Sequence, residues 1–233
     1  MGCIIPIRAS QISLEGTNYV KRTLKDLWEE LPLLVLGSLL MDLAAVPAVL
    51  ILFLTRNVPL ASVIGLLTIM PAWVGYCYTI GRNAVGFKLH FGDLLSASLH
   101  YYGRSSLLGI PSVILLLAVM ITLPWLSKDL PMLVVIGIAL QAIALLFSCL
   151  LLIHALPLLA CFDLSLRQAL VNSLILVMRW PIIAVGLLSL SFLLTLAARA
   201  IGLGTWLILP LLFAPFEVNA TLMLSKRVVE MQE

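Results

Sequence analysis

Charge is what this chain has least of. Of its 233 residues only 11% are Asp, Glu, Lys or Arg, against 62% apolar, and the mean hydropathy is +1.16. A water-soluble domain carries roughly 25% charged residues. A surface that meets water on every side is therefore excluded. The alternating strands of a membrane barrel are missing too. The apolar runs are instead about twenty residues long, the length of α-helix that crosses a bilayer. A backbone in lipid must satisfy its own hydrogen bonds, so these runs are helices.

Chemical motifs are equally scarce. No HExxH, CxxC, GxSxG, GxGxxG or Walker loop occurs, and neither a cofactor nor a metal nor a catalytic set is expected. Cys3, Cys77, Cys149 and Cys161 are scattered without metal-ligand spacing and read as buried small hydrophobes. His90, His100 and His154 are too far apart for a shared metal and read as surface or interfacial residues. Asn219-Ala220-Thr221 fits a glycosylation pattern but falls inside a span, a chance match. Pro6 occupies the position where N-myristoylation wants Ser or Thr. Residues 1–30 lack the basic region, apolar core and cleavage site of a signal peptide. The net charge of +3 comes from basic residues beside the apolar runs, so it speaks to membrane orientation and not to nucleic acid.

What is present predicts an all-α, polytopic transmembrane bundle of six spans, at about 32–54, 58–80, 106–126, 130–153, 181–198 and 205–224. They form one domain, 19–225, between a cytoplasmic segment 1–18 and a cytoplasmic tail 226–233. Three amphipathic pieces, 19–30, 91–103 and 164–179, are expected to lie as interfacial helices on the cytoplasmic side. Bends are expected at Pro32, near Gly109 and Pro111, and at Pro181. In the first piece Val20, Leu24, Leu27 and Leu31 make an apolar stripe at helical spacing.

Orientation follows from the basic residues. Arg8, Lys21, Arg22, Lys25, Arg82, Lys88, Arg104, Arg167, Arg179, Lys226 and Arg227 fall on one side, while only Arg56, Lys128 and Arg199 fall on the other. The positive-inside rule then puts both termini in the cytoplasm of a multi-pass cell-membrane protein. A period also runs through the chain. Amphipathic helix, span, short turn and returning span recur with starts near 31, 105 and 179, each 74 residues after the last.

Two acids lie inside spans, Asp42 near the middle of the first and Glu217 in the sixth. A carboxylate at such depth is expensive unless it faces the bundle interior, a cavity or a partner. Neither has a basic residue at i±4, so each is expected to be protonated or hydrogen-bonded to other helices. Asp42, Glu217, Asn219 and Gln141 form the candidate intramembrane polar site, with Asn172, Thr221, Tyr76 and Tyr78 as further possible neighbours. Pro210 and Pro215 beside Glu217 suggest an interrupted sixth span whose freed carbonyls could serve as ligands. A kink made for packing is the blander account of the same prolines.

Two stretches resemble a known family. They are Phe91-Gly-Asp-Leu-Leu-Ser-Ala-Ser-Leu-His-Tyr-Tyr-Gly-Arg and Ala155-Leu-Pro-Leu-Leu-Ala-Cys-Phe-Asp-Leu-Ser-Leu-Arg-Gln-Ala-Leu-Val-Asn-Ser-Leu. Both are similar to the YesL-like bacterial integral membrane proteins, a family of unknown function, and the likeness in architecture extends from about residue 20 to 224. The marks of that resemblance are Phe91, Asp93, Pro157, Phe162, Asp163, Ala169 and Asn172. The chain departs from it at Asp26-Leu-Trp-Glu-Glu, where members have a glycine- and aromatic-rich lead-in. The resemblance implies a bacterial inner-membrane protein, sometimes associated with sugar-uptake genes, and an accessory role. It carries no catalytic residue. Three classes of function stay open: an accessory or assembly subunit, a small secondary transporter or channel using the intramembrane acids, and an intramembrane enzyme. The expected partners are the lipid bilayer and either another membrane protein or a second copy of the chain.

The orientation is open to direct test. In a cysteine-free background, Asn57→Cys, Ser127→Cys and Gly202→Cys should react with an impermeant thiol reagent applied from outside the cell. Ser96→Cys, Ser165→Cys and Gln232→Cys should stay unlabelled, and labelling of any of them overturns the orientation.

Overall fold

The computed structural model describes residues 23, 28, 31–84, 91–124, 131–201 and 208–230. Among the described residues eight helices follow one another: α1 (Leu31–Thr55), α2 (Val58–Asn83), α3 (Phe91–His100), α4 (Tyr102–Thr122), α5 (Met132–Phe162), α6 (Leu166–Arg179), α7 (Pro181–Ile201) and α8 (Ile208–Glu230).

Local chemistry sets their ends. Between α1 and α2, Arg56 takes a left-handed φ of 52°, and the Asn57 carboxamide oxygen caps α2 by accepting from Leu60 N at 3.0 Å. After α5, Asp163 supplies a left-handed φ of 49°, and Ser165 with Gln168 forms a reciprocal capping box that starts α6. Helices α6 and α7 meet at 101° at Trp180–Pro181, the bend expected from Pro181. A proline ring is accepted at a first turn but blocks continuation from the preceding helix.

The bend expected near Gly109 and Pro111 does not occur. Helix α4 runs through both residues, and the break from α3 falls at Tyr101 (φ −91°, ψ 4°). Tyr101, only 4% exposed, is driven inward between His100 and Tyr78, so core packing and not a proline turns the chain. Pro47, Pro71, Pro157 and Pro215 likewise sit inside unbroken helices. The interrupted sixth span is therefore corrected to a continuous helix, α8, which also carries the expected tail residues Lys226 and Arg227. Except for Thr23 and Trp28, the expected helix 19–30 lies outside the described residues, as do 1–18.

The chain is a membrane-spanning helical bundle. Among the described residues four helices, α1, α2, α4 and α5, are each long and apolar enough to cross a bilayer, and the number rises to five if the bent pair α6–α7 is taken as one span, against the six expected. Leu43, Phe53, Leu133 and Ile182 are among the many large side chains left exposed, as a lipid-facing surface requires. Helix α5 has 31 residues, well past the expected end near 153. At ~1.5 Å per residue it is about 46 Å long, against a hydrocarbon core of about 30 Å. Its first half faces outward, while His154 to Ala160 are buried against other helices.

The helices pack in a cyclic order. The returning helices α2, α5 and α8 all touch one another at the centre. Each also holds the outgoing helix of its own pair (α1, α4, α7) and that of the next: α2 packs on α4, α5 on α7, and α8 on α1. The short helices obey the same rule, with α3 lying on α2 and α6 on α5. Thr23 completes it from the N-terminal segment by accepting a 3.3 Å hydrogen bond from Asn219 Nδ2 on α8. The three sequence units thus close into a ring, with α2, α5 and α8 beginning at 58, 132 and 208.

Glycine brings the helices close. A Cβ on Gly37 would overlap the Tyr76 ring, whose hydroxyl donates to Leu34 O at 3.0 Å across the α1–α2 contact. We expect Gly37→Val to lower detergent stability by about 1–3 kcal/mol through overpacking. Gly137→Ala, in open space on α5, should be neutral or stabilising by up to ~1 kcal/mol. Thermal unfolding of both variants in one detergent checks the pair.

Candidate functional site

The polar site is built on α8. A helix passing through the middle of a bundle is hidden from lipid on all sides, and α8 is buried at Ala214, Pro215, Glu217, Val218, Asn219, Ala220, Thr221, Leu222, Leu224 and Ser225. Glu217, Thr221 and Ser225 recur every fourth residue and so share one face. Glu217 is 1% exposed, and its Oε2 accepts a 3.1 Å hydrogen bond from Trp73 Nε1 on α2. One turn on, Thr221 Oγ1 lies 2.9 Å from His154 Nδ1 on α5. The three central helices each contribute a member.

His154 is thereby moved from the surface to the core. Its side chain has 0% exposure, and its second nitrogen, Nε2, has no hydrogen-bond partner among the described residues. The same holds for Ser225 Oγ. Buried polar atoms are nearly always paired, because leaving one unmade costs about 1–3 kcal/mol. Close to Glu217 run Cys77 of α2 and Cys161 of α5, the Cys161 thiol lying 3.8 Å from Cys77 O. Gly81 makes room for Cys161.

The other sequence candidates sit elsewhere. Asn219 is buried on α8 and bonds to Thr23, not to Glu217. Gln141 accepts from Thr122 Oγ1 at 3.1 Å and clamps the α4–α5 hairpin. It precedes His154 by about 20 Å of helix. Asp42 is half-buried on α1, on the flank of the buried stripe Leu34, Ser38 and Met41. Trp73 and His154, absent from the sequence candidates, complete the site. A tryptophan in mid-span has one N–H donor and needs an acceptor, which is the signal that could have paired it with Glu217.

The residues that carry the family resemblance lie on α3 and on α5, α6 and the corner between them. Asp163, at the corner of α5 and α6, pairs with Arg104 of α4 at 2.9 Å. The two sequence stretches, far apart in the chain, meet at this ion pair. Burial and the adjacent Asp163 carboxylate, to which its hydroxyl hydrogen-bonds, push the Tyr101 phenol well above its ordinary pKa. Pro157, Ala169 and Asn172 are buried at the same corner, Phe162 is half-buried, and Asp93 is exposed on α3, the helix that Phe91 begins. Among the described residues no three His, Cys, Asp or Glu side chains converge as metal ligands.

Comparison with known families, with curated proteins and with solved structures finds no match. The geometry alone defines the class: a polytopic α-helical membrane protein with an enclosed polar axis.

The Trp73–Glu217 bond predicts a graded response. Trp73→Phe should lower stability by about 1–3 kcal/mol, because a buried acceptor loses its donor. Glu217→Gln keeps an acceptor oxygen for the indole and should unfold within about 1 kcal/mol of the parent protein. Equal melting temperatures for Trp73→Phe and the parent would show that the bond contributes nothing.

Proposed function

We propose that this chain moves protons along the axis of the bundle, alone or coupled to a solute, as a small secondary transporter of six spans with α7 and α8 as the fifth and sixth. The observation that carries this reading is the enclosed column of Glu217, Thr221 and Ser225 facing Trp73 and His154. Glu217 on α8 and His154 on α5 can take up and release protons, and Thr221, one turn from Glu217 on α8, hydrogen-bonds the imidazole. Ionisable residues inside a membrane are costly and cluster on ion and proton paths. A structural clamp would need no titratable group; amides or hydroxyls would bridge the helices at lower cost.

A second reading keeps the accessory or assembly role, linked to sugar uptake, that the YesL-like resemblance implies. A groove of about 610 Å³ lies on the outer face, lined by Leu146 of α5 and by Leu188, Ser189, Ser191, Phe192, Leu193 and Thr195 of α7. Hydroxyls on a lipid-facing surface are the usual glue between membrane helices.

Reconstitution separates the two. Purified protein in liposomes holding an internal pH dye, driven by a potassium diffusion potential, should pass protons faster than empty vesicles. Glu217→Gln should fall to the empty-vesicle rate while melting at the same temperature, because an amide bridges but does not titrate. Wild-type flux equal to that of empty vesicles overturns the transport reading. A stoichiometric membrane partner retained through detergent purification then supports the second.

A further inference from the structure

The proton-transfer reading leaves two buried atoms of the column unexplained. His154 Nε2 and Ser225 Oγ have no hydrogen-bond partner among the described residues, and both side chains are at 0% exposure. Hydrogen-bond logic fixes the form of the histidine. Thr221 Oγ1 has one hydrogen to give, and the imidazole Nδ1, 2.9 Å away, is its one hydrogen-bond partner among the described residues. If the hydroxyl donates, Nδ1 is bare, the ring proton sits on Nε2, and a single N–H is left unmet. If the ring donates instead, both the Thr221 hydrogen and the Nε2 lone pair are left unmet. Each miss is costly in a buried site, so the first arrangement holds and the free atom of His154 is a donor. Ser225 repeats the problem one turn on. A serine inside a helix commonly returns its hydrogen to the carbonyl four residues back, as Ser98 does to Leu94 at 2.8 Å. Ser225 makes no such bond, so its hydroxyl also wants an acceptor.

What meets these two donors is small and neutral. Thr221 touches the imidazole, and Ser225 lies on the same face of α8 one turn further, where neighbouring side chains are roughly 5–6 Å apart. The surroundings are apolar and closed: Leu158, one turn beyond His154 on α5, and Leu224 and Val228, beside Ser225, are all buried. A metal cation is turned away by the N–H of His154, which has no lone pair to offer. An anion would stand on the same helix face as the Glu217 carboxyl, two turns from Ser225. Water satisfies both conditions, with two lone pairs for the donors and two hydrogens of its own.

We propose that internal water is bound between the His154 ring and Ser225, accepting from His154 Nε2–H and exchanging hydrogen bonds with the Ser225 hydroxyl. Buried polar groups that lack protein partners are where internal water resides in folded proteins. The site has a consequence for flux, and this consequence alone rests on the transport reading. Nδ1 takes up a proton, Nε2–H then breaks as a new O–H bond forms on the water, and the ring returns to neutral. The water thus carries the proton from His154 on toward the C-terminal end of α8.

Three measurements on the full chain in detergent test the site. Nitrogen NMR of isotopically labelled histidines, with the His154 signals identified by their loss in His154→Gln, should show the ring proton on Nε2 and none on Nδ1. The opposite tautomer overturns the proposal. Radiolytic hydroxyl footprinting in water enriched in heavy oxygen labels side chains beside bound water. His154 should take up the label, while Tyr76, equally buried but bonded to Leu34 O, should not. Ser225→Val replaces the hydroxyl with a methyl group and fills its space, so the His154 label should be lost. Ser225→Ala gives the sign of the hydroxyl's contribution. A buried hydroxyl with no partner burdens the fold, and its removal raises the melting temperature; one bonded to water lowers it on removal. A lower melting temperature is expected. An unlabelled His154, or a Ser225→Ala variant that melts at or above the parent temperature, overturns the site. Glu217→Gln should stop proton flux and leave the label and the tautomer unchanged, so either idea can fail without the other.

Discussion

A buried carboxyl group in a membrane bundle is tolerable only where lipid never touches it, and that constraint organises this molecule. Glu217 meets it because α8 is enclosed by α1, α2, α5 and α7. Enclosure also explains the low apolarity of α8, which needs a surface that fits protein and not one that dissolves in hydrocarbon. Once a helix is sealed this way, hydrogen-bonding side chains can be spent on its neighbours, and Trp73, His154 and Thr23 are the groups that meet it.

The same constraint shapes the contacts around the axis. Lipid tails are as apolar as leucine, so helices in a membrane gain little from burying leucine against leucine. Close approach and short polar bridges have to supply the attraction. Gly37 admits the Tyr76 ring, Gly81 admits Cys161, and Gly109 lies against Leu66. Ser112 and Ser148 join α4 to α5 at 2.6 Å, and Ser173 Oγ donates to Leu151 O at 2.5 Å between α6 and α5. These contacts are spread over every unit, so no single helix pair carries the bundle.

How much of this was legible in the sequence depended on which solvent a residue meets. The helices, the short turn between the first two spans and the Pro181 bend could be read, because length, proline and turn chemistry are local. The inner half of α5 could not. Ile153-His-Ala-Leu-Pro-Leu-Leu-Ala is apolar whether it faces lipid or protein, so hydropathy placed the end of the span near His154 while the helix ran on to Phe162. His154 looked peripheral for the same reason. The chain break at Tyr101 was invisible because it is set by what the ring packs against, whereas Gly109 and Pro111 advertised a break that neighbouring helices suppress. Glu217 and Asn219 stood out as costly residues, but their partners did not, since a hydrogen bond spanning 144 or 196 residues has no sequence signature.

Ring closure ties the first part of the chain to the last. Helix α1 and Thr23 leave the ribosome well before α8, yet both pack on it. Until then Trp73 waits without its acceptor and α1 keeps one flank uncovered. The early helices must either hold one another loosely within the bilayer or be chaperoned there while some 150 residues are still being made. Assembly in this fold is therefore a matter of timing as well as affinity, with the final hairpin acting as the keystone that locks an arch already standing.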